Sequence, residues 1–359
     1  MEADKSGLEQ RRDQPVYGRG FFLWCVILAA IPMLLVFKNK LGKQQAAGER
    51  VTVTVTDYHG WSDSLLLRNG KVQAVIVPAI GRVMQFGFLG EEGVFWENRA
   101  LDGKPAEAAG WETNDWVNFG GDKTWPAPEG DWPKLTGRKS WRPPPAFDAM
   151  PVEAKVEGSD VVLTSPVDPF LGIRTRRRVH LHADDPVMTI TTTYERVRGA
   201  TARIGVWVIT QLKDPLGLYV PLPASSKSGP GYTLLGKDPP PSVTVEKGLL
   251  SLTRNPRAAH KIGTVADTLL WVGDTFALRI DSPRVAGAEY PDQGSSAEIY
   301  TNPNPLRYIE LEMLGPLETL KPGDRIERTN TYTLFRRAEP DRETEARKIL
   351  SVRRAVQGP

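Results

Sequence analysis

The chain has 359 residues, 40% of them apolar and 25% charged, enough to bury a substantial core and incompatible with a disordered or collagen-like polymer. Its 33 glycines and 30 prolines disfavour an all-helical bundle, and the single cysteine, Cys25, excludes an intramolecular disulfide framework and a cysteine-rich zinc site. The net charge of +3 resides at the two ends, residues 51–335 summing to −3, and a mildly acidic body without a basic stripe excludes nucleic acid as the expected partner.

After a polar tail, 1–19, residues 20–37 run eighteen positions without a charge. At 1.5 Å per residue that is about 27 Å, enough to cross a bilayer as one helix. Lys38, Lys40 and Lys43 follow, and Gln45 stands where a signal peptidase wants a small residue before Ala46-Ala47, so an uncleaved anchor is expected rather than a secretory signal. Arg11, Arg12 and Arg19 balance the three lysines, so charge does not orient the span. A short N-terminal segment ahead of a large C-terminal body is the layout of a signal anchor, which places the body outside the cytoplasm, in the periplasm or extracellular space. Residues 38–50 read as the linker.

The body, 51–335, opens on the strictly alternating VTVTVT of 51–56 and continues in period-2 segments. Strands are predicted at 64–68, 71–77, 82–89, 152–157, 160–165, 173–182, 187–195, 201–211, 243–246, 249–253, 268–272, 275–281, 296–301, 306–313 and 325–335. Turn signals separate them, among them Asn69-Gly70, Glu157-Gly158, Lys247-Gly248 and Pro322-Gly323. So many strands without a blade-length repeat predict an all-β fold, a large antiparallel two-sheet sandwich. Two stretches break the rhythm: 99–151, rich in Trp, Pro and Gly, and 221–242, which contains three consecutive prolines. In the tail, 336–359, Pro340 and the apolar spacing of Ala346, Ile349, Leu350 and Val356 predict a short helix packed on the sandwich.

Three motifs carry a family resemblance. IGRVMQFGFLGEEGVFWEN (80–98) resembles the start of galactose mutarotase-like domains, and YIELEMLGPLETLKPGD (308–324) resembles their C-terminal strand and Pro-Gly turn. NFGGDKTWPAPEGDWP (118–133) is similar to the signature of a bacterial family of undetermined function within that aldose epimerase superfamily. The resemblance spans roughly 57–335 and implies a supersandwich with a sugar-binding groove on one sheet.

Saccharides present apolar C–H faces that pack on aromatic rings and hydroxyls that bond to polar side chains. Trp116, Asn118, Asp122, Lys123, Trp125 and Trp132 offer both halves of that requirement, and the alternative reading is that the tryptophans seal a small core, as Trp111 and Trp141 are expected to do. Gly120-Gly121 lacks the strand and helix of a phosphate loop. Glu310 and Glu312 lie two apart on a predicted strand and share a face, with Glu298 a possible companion from a neighbouring strand. The resemblance implies that Glu312 is the base that takes the anomeric hydroxyl proton, with Glu310 as its substitute. The same resemblance places a histidine acid within 203–212, yet that stretch offers Trp207, Thr210 and Gln211 and no histidine. His59 and His260, both expected in loops, are the candidates for a relocated acid, whereas His180 and His182 share one face of an earlier strand as packing or solvent residues. Arg82 follows a glycine turn, and Arg174, Arg176 and Arg178 line one strand face, either toward an acidic sugar or toward solvent. No metal-ligand spacing and no cofactor motif occur. The expected protein is a membrane-anchored carbohydrate-binding sandwich; the alternatives are a carbohydrate-active enzyme using groove carboxylates and an envelope protein with a vestigial groove.

Overall fold

The computed structural model describes residues 51–105, 117–137, 142–223 and 229–354. Among these residues the strands form one eleven-stranded and one ten-stranded antiparallel sheet. The front sheet is built from β1 (Thr52–Tyr58), β2 (Trp61–Arg68), β3 (Val72–Val77), β4 (Arg82–Phe88), β5 (Asp122–Ala127), β10 (Ala202–Lys213), β19 (Tyr308–Leu314), β18 (Ala297–Thr301), β15 (His260–Thr264) and β12 (Thr233–Leu234), in that spatial order. A short β20 (Glu318–Leu320) also pairs with β10. The back sheet runs β13 (Thr244–Glu246), β14 (Leu249–Leu252), β11 (Gly217–Pro221), β16 (Thr268–Val272), β17 (Phe276–Asp281), β21 (Arg325–Arg336), β9 (Val187–Arg196), β8 (Ile173–Leu181), β7 (Asp160–Thr164) and β6 (Glu153–Glu157).

Period-2 alternation accounts for the layering. Ile309, Leu311 and Met313 of β19 join Leu65, Leu67, Ile76, Val161, Val179, Met188, Ile190, Leu278 and Leu334 in the core between the sheets. The intervening Glu310 and Glu312 therefore project from the outer face of the front sheet. Within the core, Asp122 pairs with Arg177 of the back sheet and accepts hydrogen bonds from Thr210 (2.7 Å) and Tyr332 (2.7 Å), a polar bolt across the two layers.

The 99–151 stretch contains a strand that its composition hides. β5 lies in the middle of the front sheet, paired with β10 from Asp122 to Ala127 but with β4 only at Asp122, so Pro126 has no ladder partner on the β4 side. Its entry explains the two glycines. Gly120 and Gly121 both adopt positive φ, and a Cβ at Gly120 would stand 2.3 Å from the Trp96 carbonyl, one at Gly121 2.7 Å from that of Val83. The pair lets backbones approach.

The tail helix α4 (Arg342–Ser351) follows three short helical segments, α1 (Trp132–Thr136), α2 (Pro145–Asp148) and α3 (Pro291–Gly294). Asp341 rather than Pro340 starts it, its carboxylate accepting from the Thr344 N–H at 2.7 Å, and Ala346 and Ile349 pack on the back sheet beside Tyr219 and Leu270. Val356 lies outside the described residues, as does the predicted spanning segment 20–37. Among the described residues no helix is long and apolar enough to cross a membrane.

Candidate functional site

Register assembles the outer-face residues into two rows. Lys123 stands opposite Ile209, Ile209 opposite Glu312, and Glu312 opposite Glu298 across β5, β10, β19 and β18. Gln211, Glu310, Tyr300 and Lys261 form the adjacent row across β10, β19, β18 and β15. Trp125 and Trp207 stand opposite each other at one end.

These side chains are tied into a buried polar network. Lys261 Nζ lies 2.9 Å from Glu298 Oε2 and 3.1 Å from Glu312 Oε2. Trp207 Nε1 donates to the same Glu312 oxygen at 2.8 Å, and Gln211 Nε2 donates to Glu310 Oε1 at 2.6 Å. Three acceptors are left over: Glu312 Oε1, Glu298 Oε1 and Gln211 Oε1 are buried without a hydrogen-bond partner among the described residues. A buried acceptor without a donor costs on the order of 1–3 kcal/mol, so these three atoms are a destabilising feature of the outer face.

The electrostatics follow from crowding. Burial pushes the Glu310 carboxyl up to about 7, the charge of Glu312 reinforcing it against the pull of Lys123. Burial and the charge of Arg82 bring the Lys123 ammonium down to about 8 against the opposing pull of Glu310. Glu298 is raised well above the carboxylate range by burial and by the Glu312 charge, although Lys261 pulls the other way. Lys261 is raised despite burial, because Glu312 and Glu298 together outweigh it. Lys261 also lines an open cleft of about 280 Å³, together with Glu129, Gly130, Pro133, Leu235 and Asp292. Asp292 and the adjacent Gln293 sit at φ 48° and 60°, a left-handed conformation costing each non-glycine residue on the order of 1–3 kcal/mol.

The expected site residues divide accordingly. Glu310, Glu312, Lys123, Trp125, Trp207 and Gln211 come together on the outer face. Asp122 does not: it neighbours Lys123 on a strand, so the two point to opposite faces, and Asp122 is committed to the intersheet bolt. Arg82 is fully buried, its guanidinium donating to the Gly120 carbonyl (2.7 Å) and to Asp148 (3.0 Å), which makes it a structural tie. Asn118 accepts from the Gly120 N–H at 3.1 Å. Trp132 packs against Trp125 and Trp207 with ring centroids 5.4 and 6.2 Å apart and donates to the Pro126 carbonyl, so it belongs to the core. The ring faces of Trp125 and Trp207 carry ammonium groups, Lys123 at 4.0 Å and Lys261 at 4.6 Å from the centroids. Trp111, Trp116 and Trp141 lie outside the described residues.

Neither histidine candidate reaches the groove face. His59 sits at the β1–β2 turn near Asp102, with β3, β4, β5 and β10 between it and β19. His260 begins β15 and alternates with Lys261, its ring held by Asn255 (2.9 Å) and the Asp238 carbonyl (3.0 Å). Arg174, Arg176 and Arg178 face outward on the back sheet, paired with Glu195, Glu157 and Asp160. Sequence reasoning missed Lys261 and Tyr300; the signal for Lys261 was its place in the short alternation HKIGT, weakened by a glycine.

The chain is a two-sheet antiparallel sandwich with a polar network on the outer face of one sheet. Within that fold the chain belongs to the family described as a domain of unknown function, DUF4380, which it matches over residues 63–335. Solved structures bear out the fold. A galactose mutarotase-like protein from Lactobacillus casei is 11% identical with a TM-score of 0.52, the match covering 76% of this chain and 100% of that one. A second, from Clostridium acetobutylicum, is 8% identical with a TM-score of 0.51 over 80% and 99% of the two chains. A TPR-domain containing protein from Parabacteroides distasonis is 13% identical with a TM-score of 0.52, the match covering 86% of this chain and 56% of that longer protein. No curated protein matches the chain.

Proposed function

We propose that the chain is a membrane-anchored, extracytoplasmic carbohydrate-binding protein whose ligand sits on the outer face of β10, β19, β18 and β15. The observation that carries this reading is the set of leftover buried acceptors, Glu312 Oε1, Glu298 Oε1 and Gln211 Oε1, gathered on one face, where Lys261, the ion-pair partner of Glu298 and Glu312, also lines a cleft. A ligand that completes them must bring several hydroxyl donors close together, which is what a sugar ring does. The relatives named galactose mutarotase-like share this fold, and the anchor rests on the uncharged run 20–37.

Calorimetric titration of the full-length chain with a panel of monosaccharides tests the groove. Hydrogen bonds to a charged group contribute about 1.5–3 kcal/mol, so Glu312→Gln is expected to weaken binding roughly ten- to hundredfold. Saturable binding that Glu312→Gln leaves untouched would move the ligand elsewhere on the molecule.

A further inference from the structure

Among the described residues the two open sheets end in four edge strands, β1 and β12 in the front sheet and β6 and β13 in the back sheet. An edge strand presents a row of backbone N–H and C=O groups that another strand can pair, and proteins blunt such edges with shortness, charge or proline. Three of the four are blunted: β12 has two residues, β13 has three, and β6 reads Glu-Ala-Lys-Val-Glu. β1 is not. It runs seven residues, Thr52–Tyr58, with no charge before Asp57 and no proline. Its ladder to β2 is regular from Thr52 to Thr56, the shift coming only between Thr56 and Tyr58, and among the described residues no backbone hydrogen bond occupies its other side. Val55, apolar and β-branched, is 68% exposed on this strand.

We propose that β1 pairs antiparallel with β1 of a second copy of this chain about a two-fold axis at Thr54, joining the two front sheets into one. The alternation of VTVTVT makes the strand its own complement. Centred on Thr54, the pairing engages every residue of the regular ladder and sets Thr52 opposite Thr56 and Val53 opposite Val55. Threonines then meet threonines on the outer face, and valines meet valines on the core side, where Val51 and Val53 already pack against the core between the sheets. A shift of one residue would set threonine against valine and turn one sheet over, so the period of two selects against it. The groove strands β19, β18 and β15 lie toward the opposite edge of the front sheet, and pairing through β1 leaves both grooves open.

The small seam decides where such a dimer holds. Seven residues a side fall far short of the roughly 20–30 a side of a stable interface, so pairing is weak in dilute solution. Two copies confined to one membrane meet at a much higher effective concentration, which offsets a small interface, and to that extent the dimer rests on the membrane anchor proposed above. Chain length permits it. At about 3.4 Å per residue the two Thr52 residues of the pair lie roughly 14 Å apart, whereas the thirteen residues 38–50 reach up to about 43–47 Å, so both chains can return to the same bilayer.

The test is cysteine cross-linking of the full-length chain in isolated membranes, in a Cys25→Ala background so that the introduced thiol is the only one. Residues facing each other across an antiparallel pair have Cα atoms about 4.5–5.5 Å apart, within the span of a disulfide, whereas the two copies of residue 52, or of residue 56, lie beyond it. On mild oxidation Thr54→Cys is expected to give a product of twice the chain mass, in at least about tenfold higher yield than Thr52→Cys, Thr56→Cys or, on the β6 edge, Lys155→Cys. Val55→Lys, a blunting charge at an exposed position, is expected to lower the Thr54→Cys yield about tenfold while the chain stays in the membrane fraction. Equal yields at all four positions, or a Thr54→Cys yield that Val55→Lys leaves unchanged, overturns the proposal and leaves the anchor standing. A product of any other mass assigns the edge to a different protein and overturns the self-pairing. Recovery of the wild-type chain in the soluble fraction overturns the anchor, and with it the confinement that the dimer needs.

Discussion

Glu310 and Lys123 show how one buried face moves two ordinary side chains in opposite directions. Glu310 holds its proton to about pH 7, whereas an unfolded chain releases it near 4.5. Between those values the native form binds more protons than the unfolded one, so this group makes stability fall as pH rises. Lys123 loses its proton near 8 in the native form and near 10.5 unfolded. Above 8 the native form binds fewer protons, and this group makes stability rise with pH. Thermal melts across pH 4.5–7 are therefore expected to show a smaller decline in Tm for Glu310→Gln than for the wild type. Parallel declines in the two proteins would show that Glu310 titrates as an exposed carboxyl does. Part of this was legible: the alternation in YIELEM puts Glu310 and Glu312 on one face from sequence alone. The same rule separates Asp122 from Lys123, but which of the two faces outward depends on Arg177, fifty-five residues away and on the other sheet.

At the scale of elements, the short helix α2 clamps the groove's aromatic end. Asp148 at its last position accepts from Arg82 (3.0 Å) and from Trp125 Nε1 (3.1 Å), joining β4, β5 and the helix through one carboxylate. Arg82 has no exposed surface, so Asp148→Ala leaves a buried guanidinium without its charge partner, a loss on the order of 3–5 kcal/mol. Chemical denaturation of Asp148→Ala is expected to show that loss, with Asp148→Asn intermediate because it keeps an acceptor for Arg82 and Trp125. A loss below about 1 kcal/mol would remove the clamp from the account. The strands on either side of this region were readable from period-2 patterning, whereas β5 was not. Its Gly-Gly entry and internal proline argue against a central strand, and only the absence of β4 pairing beyond Asp122 makes room for them.

For the whole molecule, the run 20–37 and the body 51–335 make separable expectations. Full-length chain is expected in the membrane fraction, resistant to salt and alkaline washing and released by detergent, and its body is expected to be cut by protease added to spheroplasts. Protection of the body in intact spheroplasts would reverse the orientation, and a mature N-terminus near Gly48 would replace the anchor with a cleaved signal.

What the sequence by itself determined was local and periodic: the all-β class, most strand positions, the tail helix, the shared face of Glu310 and Glu312, and the family resemblance that the DUF4380 match and the mutarotase-like structures bear out. What only the tertiary structure decided was which strands become neighbours. β10 and β15 flank the consecutive strands β19 and β18 although they lie far from them along the chain, and that adjacency brings Lys261 between Glu298 and Glu312, while contacts with Arg177 and Asp148 hold Asp122 and Arg82 inward. Alternation along a strand is set by the residues of that strand alone. The Lys261–Glu298–Glu312 cluster is set by three strands at once, and no local pattern encodes it.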